Sequence, residues 1–331
     1  MFQLSKNELE NIKNNFIGKK IAIVGDMMLD CYYWGEVKRI SPEAPVPVVE
    51  IDNEFFRFGG AANCAYNIIK LGGIPLPIGV IGSDNDGREF NSLMKEAEIN
   101  SEGIIIDDQR PTTAKTRVIA YNHHVVRIDR ESKNKISVET ENKIIEYFRS
   151  KSESLDAVIL QDYNKGVLTK RVIKEIIEIA NSKNIIITVD PKFDNFFEYK
   201  NVTVFKPNKK ETEDAFGIRI ESDEEIARAG KKLIEKLKPK YALLTLGEAG
   251  VALFKSSNDI KRISTKARKV RDVSGAGDTV ISTLTMALAA NADIADAACL
   301  ANYAAGIVCE EVGIVPVELN KLFDTVNSVI K

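Results

Sequence analysis

The sequence predicts an α/β protein: a mainly parallel sheet covered by helices on both faces, with a small separate β appendage. Short β-branched runs alternate with longer amphipathic stretches through most of the 331 residues. That spacing is the pattern of strand–helix–strand crossovers. Two proline-rich or strictly alternating segments break the rhythm, and they predict the appendage.

In order along the chain, residues 1–20 read as a polar helix with no apolar leader core. Strands are expected at 21–24, 77–81, 157–160, 185–189, 203–205 and 241–245, and helices at 61–71, 86–98, 169–181 and 222–237. The first irregular segment, 35–58, carries Pro42, Pro45 and Pro47 and then alternates from Val46 to Ile51. The second, 112–128, alternates from Ala114 to Tyr121 without helical period. Together they read as two insertions, at about 35–58 and 112–128, within one domain spanning 1–331. Two surface hairpins without a role would leave the same trace.

Composition excludes several classes. Net charge is −2, with Lys and Arg scattered among Asp and Glu, whereas a nucleic-acid binder needs a concentrated basic face. The most apolar stretch, 280–290, is too short and too interrupted by Ser and Thr to span a bilayer. None of the four cysteines, Cys31, Cys64, Cys299 and Cys309, forms a C-x-x-C pair. They read as reduced core thiols of a cytoplasmic protein.

The segment Arg271-Asp272-Val273-Ser274-Gly275-Ala276-Gly277-Asp278-Thr279 precedes a helical run. Gly275, Ala276 and Gly277 leave the backbone uncovered, so several amides can converge on one anion at a helix N-terminus. Phosphoryl transfer needs such a hole, because charge on the transferred group is stabilised in the transition state. Asp278 stands where it could take a proton from an attacking hydroxyl, and an N-cap of the helix explains the same Asp. No Gly-Lys-Ser/Thr follows, so this is not a Walker A loop; nor is it a dinucleotide fingerprint. Asn208 and Glu211, three apart after an expected strand, could direct two oxygens at a hydrated Mg²⁺. A capping box fits that spacing equally well. Thr245-Leu246-Gly247-Glu248-Ala249-Gly250 is a turn of small residues that would let backbone approach a nucleotide, or a plain hairpin turn. Asp30, after the first strand, could accept from sugar hydroxyls or cap a turn.

The run from Asp272 to Asp278 resembles the C-terminal signature of the ribokinase-like (PfkB) carbohydrate kinases, and Phe58-Gly59-Gly60-Ala61-Ala62-Asn63 resembles their early Gly-Gly signature. The resemblance implies a three-layer αβα sandwich with a β-strand lid, and ATP with Mg²⁺ as cofactors. It implies Asp278 as catalytic base over a Gly275–Ala276–Gly277 anion hole, and Asn208 and Glu211 near the metal through water. Thr245, Gly247, Gly250, Asn302 and Ala305 would lie along the nucleotide, and Asp30, Gly59, Gly60 and Asn63 along the sugar.

Further runs are similar to one branch, whose members phosphorylate a heptose 7-phosphate on the route to ADP-heptose for lipopolysaccharide. These are residues 39–48 (Arg-Ile-Ser-Pro-Glu-Ala-Pro-Val-Pro-Val), 162–166 (Asp-Tyr-Asn-Lys-Gly), 189–192, 115–118 and 126–129. They add Lys115, Arg117, Arg127, Asp162, Lys165, Asp190 and Lys192 to the sugar side, where Arg and Lys would meet the acceptor's phosphate. Many members of that branch continue into an adenylyltransferase; no such nucleotide motif follows residue 326, which implies that a separate protein supplies that step. Other acceptors in the family (a fructose phosphate, ribose) and a non-catalytic sugar-phosphate sensor remain open. A homodimer through the lid is expected, since strands outside the core need their edges covered.

Overall fold

The structure, a computed structural model, describes residues 4–121, 123–257, 259–265, 271–311 and 313–330. Helix α1 (Lys6–Phe16) starts at a Ser5–Glu8 capping box and buries Leu9, Ile12 and Phe16 on one stripe. Strand β1 (Lys20–Gly25) is apolar and buried along nearly its whole length, as a central parallel strand must be. Two long strands follow, β2 (Met27–Ile40) and β3 (Pro47–Gly60), then α2 (Ala61–Lys70), β4 (Ile74–Ile81), α3 (Asn85–Glu96) and β5 (Ile104–Ile106). Next come β6 (Thr113–Ala120), β7 (His123–Arg130), α4 (Val138–Lys151), β8 (Ala157–Gln161), α5 (Lys170–Ser182), β9 (Ile186–Asp190) and β10 (Val204–Phe205). The chain continues through α6 (Lys209–Phe216), α7 (Asp223–Leu237), β11 (Tyr241–Thr245), β12 (Val251–Phe254) and β13 (Ile260–Ile263). Helices α8 (Ala276–Ala289), α9 (Ile294–Cys309) and α10 (Leu319–Asn327) close it.

The large sheet runs β13-β12-β11-β10-β9-β8-β1-β4-β5. It is parallel except for β12 and β13, which turn back as antiparallel edge strands. Alternation along β1 separates two cores: Ile21 and Ile23 pack with α1, α2, α8, α9 and α10. Ala22 and Val24 pack with α4, α5 and α7 on the other face. The four cysteines are free and buried. Among the described residues, no helix is long and apolar enough to cross a membrane.

The second sheet is β3-β2-β6-β7. Its first strand starts earlier than the sequence suggested, because Met27–Tyr32 pairs directly with β3 instead of forming a loop. Register places Asp30, Tyr32, Arg57, Phe55, Lys115, Arg117 and Arg127 on one face. Gly60 joins β3 to α2 at φ 55 and ψ −135, a conformation open to glycine, and a Cβ there would lie 2.5 Å from the Asp26 carbonyl oxygen. The small sheet therefore passes without a spacer into the helix that supports the site.

Candidate active site

Four neighbouring strands, β10, β9, β8 and β1, end side by side, the edge where open α/β sheets place ligands. Their last residues and the loops beyond deliver Lys206, Asp190, Gln161, Tyr163 and Asp26. The N-terminus of α8 points into the same edge. Its cap is Gly275 in the left-handed region (φ 77), where a Cβ would press on Asn63 and Ile314 at 3.2 Å. Asp278 is therefore not the N-cap. It lies in the first turn of α8 and is only 4% exposed.

Three donors converge on its carboxylate. Asn63 Nδ2 donates to Oδ2 at 2.8 Å, Gln161 Nε2 to Oδ1 at 3.0 Å, and the Tyr163 hydroxyl to Oδ1 at 2.7 Å. Burial pushes the Asp278 carboxyl up to about 6, against the hydrogen bonds from Asn63 and Tyr163 that lower it, with Asp190 adding to the rise. A carboxylate titrating there is poised to accept a proton near neutral pH. Gln161 Nε2 also reaches Asp190 Oδ2 at 3.3 Å, and Asp190 pairs with the buried Lys206 ammonium at 3.0 Å. A polar chain thus runs beneath the anion-binding turn, Lys206–Asp190–Gln161–Asp278. Asp190 belongs to it as a support of the base, with Oδ2 taken by Gln161 and Lys206.

Asp26 anchors the loop after β8: its carboxylate accepts from the Tyr163, Lys165 and Val167 amides at 2.7, 3.1 and 3.2 Å. Asp162 turns the opposite way, to the Tyr199 hydroxyl at 2.6 Å within the α4–α5 core. Burial raises its carboxyl to about 6 as well. The structure does not bring Asp162 to the cleft, because the left-handed Asn164 that follows lets the loop fold back on it.

Asn208 and Glu211 form the capping box of α6: Asn208 Oδ1 accepts from the Glu211 amide and Glu211 Oε2 from the Asn208 amide, both at 2.8 Å. The other Glu211 oxygen is paired with Lys192. Burial raises the Glu211 carboxyl, with Asp190 adding to the rise and Lys192 opposing it. The box does not exclude a metal role, since an amide and a carboxylate oxygen at one strand end are the donor chemistry of a hydrated Mg²⁺ beside phosphates. Among the described residues no cluster of three or more His, Cys, Asp or Glu could hold a metal ion. Next to this box, the Thr245 amide donates to the Pro207 carbonyl at 3.0 Å. The turn from Gly247 to Gly250 needs glycine at 250, where φ is 83 and a Cβ would lie 2.1 Å from the Ile263 carbonyl oxygen. Asn302 Nδ2 donates to the Ser264 carbonyl at 2.8 Å, and Ala305, half-buried, packs on the core beneath.

On the small sheet, Asp30 is paired with Arg117, and Gly59 makes room for it: a Cβ would lie 2.4 Å from Asp30 Oδ2. Burial raises the Asp30 carboxyl, offset by Arg117. A cavity of about 180 Å³ lies between this face and the turn before α8, lined by Tyr32, Arg57, Arg117, His124 and Ser274 among others. Arg57 stacks on Tyr32 and Phe55 and donates to the Ile314 carbonyl, so it bridges the small sheet to the segment between α9 and α10. Arg127 is paired with Asp129 and mostly exposed, and Lys165 with Glu131 at 2.7 Å. Sequence reasoning missed Gln161, Tyr163, Lys206, Arg57 and His124. Tyr163 stood inside a quoted run, whereas the others carry no local spacing signal, because only the fold brings them together.

A family model described as pfkB family carbohydrate kinase matches residues 18–319. The chain belongs to this family. It is an ATP-dependent sugar kinase with the ribokinase-like fold. Among its relatives, "Bifunctional protein HldE" of Desulfatibacillum aliphaticivorans is 43% identical over 319 residues, 95% of this chain and 65% of that protein. The protein of the same name from Geobacter sulfurreducens is 42% identical over 88% of this chain and 59% of that protein. This pfkB chain thus spans less than two thirds of the length of those curated relatives. Arabidopsis thaliana ribokinase complexed with ribose and ATP superimposes with a TM-score of 0.72 at 18% identity, over 93% of this chain and 98% of that one. Phosphofructokinase-2 from Escherichia coli in complex with fructose-6-phosphate gives 0.74 at 15%, over 95% and 99%. At these identities the likeness is one of fold.

Proposed function

We propose that this kinase transfers the γ-phosphoryl group of ATP to the anomeric hydroxyl of D-glycero-β-D-manno-heptose 7-phosphate, giving the 1,7-bisphosphate used in ADP-heptose synthesis for lipopolysaccharide core. The observation that carries the reading is the placement of Asp278: buried, its carboxyl raised to about 6, in the first turn of α8, where the preceding Asp272 and Ser274 line the cavity under the small sheet together with Arg57 and Arg117. Asp278 takes the proton from the acceptor hydroxyl as its oxygen attacks the γ-phosphorus. The amides of Gly275, Ala276 and Gly277 bear the charge on the transferred group. Asn208 and Glu211 would hold Mg²⁺ through water, and the ion would supply neutralising charge for the phosphates there. The turn from Thr245 to Gly250, with Asn302 and Ala305, holds the nucleoside end.

Asp30, Asn63 and the Gly59–Gly60 backbone face the sugar. Arg117, Lys115, Lys192 and Arg57 supply cations for its phosphate, with Arg127 and Lys165 at the rim. The small sheet acts as a lid that excludes water. A panel of acceptors with coupled detection of ADP tests the substrate. Turnover on the heptose phosphate is expected; strong activity on ribose or fructose 6-phosphate with none on the heptose phosphate would overturn this choice.

We also propose that the enzyme is a cytoplasmic homodimer. Val126 and Ile128 of β7 are 47% and 56% exposed on the lid's outer face, and Ile51 of β3 is 46% exposed. A second copy would cover these residues and the open strand edges. Light scattering is expected to give twice the monomer mass, falling to the monomer in Val126→Glu/Ile128→Glu; a monomeric wild type at micromolar concentration would sink the idea.

A further inference from the structure

The three donors on Asp278 leave little room for an acceptor. Oδ1 already accepts from Gln161 and Tyr163, and Oδ2 from Asn63. A carboxylate oxygen offers two lone-pair directions, so Oδ1 is full, and the residue as a whole is only 4% exposed. A sugar hydroxyl that uses Oδ1 must therefore replace one donor. Gln161 is fully buried at the end of β8 and also holds Asp190; Asn63 is buried in α2. Tyr163 is the exchangeable donor: it is half-buried on the loop after β8, with its backbone amide held by Asp26 and its hydroxyl reaching Asp278 from a loop instead of from a strand or helix.

The charges around it fit that reading. The ring lies between the Lys115 and Lys192 ammonium groups, 5.7 and 5.4 Å from its centroid. Burial and the neighbouring Asp278 and Asp190 carboxylates hold its phenol well above its ordinary range, so it stays a donor. The groups facing Asp278 from surrounding elements are Asn63 and Cys64 of α2, Gln161 of β8, Tyr163, Asp190, Lys192 and Lys206.

We propose that Tyr163 holds the acceptor's place on Asp278, closing the base to water until a sugar hydroxyl displaces the phenol. An anionic acceptor would draw Lys115 and Lys192 off the ring as it entered, so the plug is released by the right substrate. The inference rests on Asp278 being the base. Without the plug, a water would sit on Oδ1 and attack the γ-phosphorus. Its proton would pass to Asp278, the bond from phosphorus to the β–γ bridging oxygen would break, and ADP and inorganic phosphate would leave.

The test compares ADP release without acceptor in wild type, Tyr163→Phe and Tyr163→Phe/Asp278→Asn. Tyr163→Phe is expected to raise acceptor-independent hydrolysis by about 10- to 100-fold, and the second substitution to abolish the rise. No rise in a Tyr163→Phe enzyme that still phosphorylates sugar overturns the plug and leaves the base intact. A rise that survives Asp278→Asn overturns the plug, and sugar transfer by Asp278→Asn alone overturns the base and with it the plug that rests on it. Should the Phe variant not fold, 3-fluorotyrosine placed at position 163 alone gives a second readout. Its fluorine resonance is expected to move when heptose 7-phosphate is added with ADP, and an unchanged resonance at saturation refutes the displacement.

Discussion

Replacing Asp278 with Asn should cost activity and add stability. The wild-type carboxyl is raised from 3.8 to about 6 by burial, so at pH 7 keeping it ionised in the folded state costs about 3 kcal/mol. Asn carries no charge. Its carbonyl can keep the Gln161 and Tyr163 bonds, and its amide meets Asn63, whose side chain can turn to present oxygen at the cost of its 3.4 Å contact with Asn67. One lost hydrogen bond is worth about 1 kcal/mol, leaving a net gain of about 2 kcal/mol at pH 7. The sign follows from proton binding: a raised folded-state pKa means the native state binds more protons between pH 3.8 and 6. Wild-type stability therefore falls as pH rises through that window, and the advantage of Asn should vanish below about pH 4. Thermal unfolding at pH 7.5 should show a rise of a few degrees, while sugar-dependent ADP release falls about 10²- to 10⁴-fold. Calorimetry should find ATP binding close to wild type. Wild-type turnover would refute the base, and a lowered melting temperature would refute the charge accounting.

Three further outcomes follow from the same geometry. The pH profile of wild-type kcat/KM should show an acid limb near pH 6, because Asp278 must be deprotonated to act, and the residual rate of Asp278→Asn should lack that limb. Lys206→Met strands Asp190 as a buried charge and should lower stability by about 3–5 kcal/mol in denaturant titration, with Lys206→Met/Asp190→Asn recovering part of it. Gly60→Ala forces a Cβ to 2.5 Å from the Asp26 carbonyl oxygen in a glycine conformation and should cost about 1–3 kcal/mol, read by the same titration.

Much of the fold was legible because the signals were local. The apolar run before Gly25 marked β1, and helix periodicity from Ala61 marked α2, within a residue or two of their ends. The edge pair β12 and β13 escaped, since four-residue strands beside a turn carry too little periodicity to separate them from loop. The start of β2 escaped because Met27 to Tyr32 faces protein on both sides, so the alternation that flags an appendage strand is missing there. In the site, the segment from Gly275 to Asp278 was legible because backbone exposure and a carboxylate stand together in sequence. Gln161 and Tyr163 at the end of β8 and Lys206 at the end of β10 reach Asp278 or Asp190, and no spacing rule links the two strand ends. The Asn208–Glu211 pair shows the reverse: two readings of one spacing are compatible, because the cap uses amide partners and leaves lone pairs over.

The pairing of β2 with β6 also bears on how the chain folds. These strands run parallel, Asp30 beside Lys115, and between them in the chain come β3, α2, β4, α3 and β5. The β2–β3 hairpin can zip early, but its other long edge stays open until β6 arrives, and closing so large a loop is slow. During synthesis on the ribosome an apolar strand edge would be bare for that interval, a standing invitation to mispairing. The small sheet is therefore not a module that could be cut out and grafted elsewhere: its β2–β6 pairing closes only after β4, α3 and β5 of the large sheet's layer have been laid down between them.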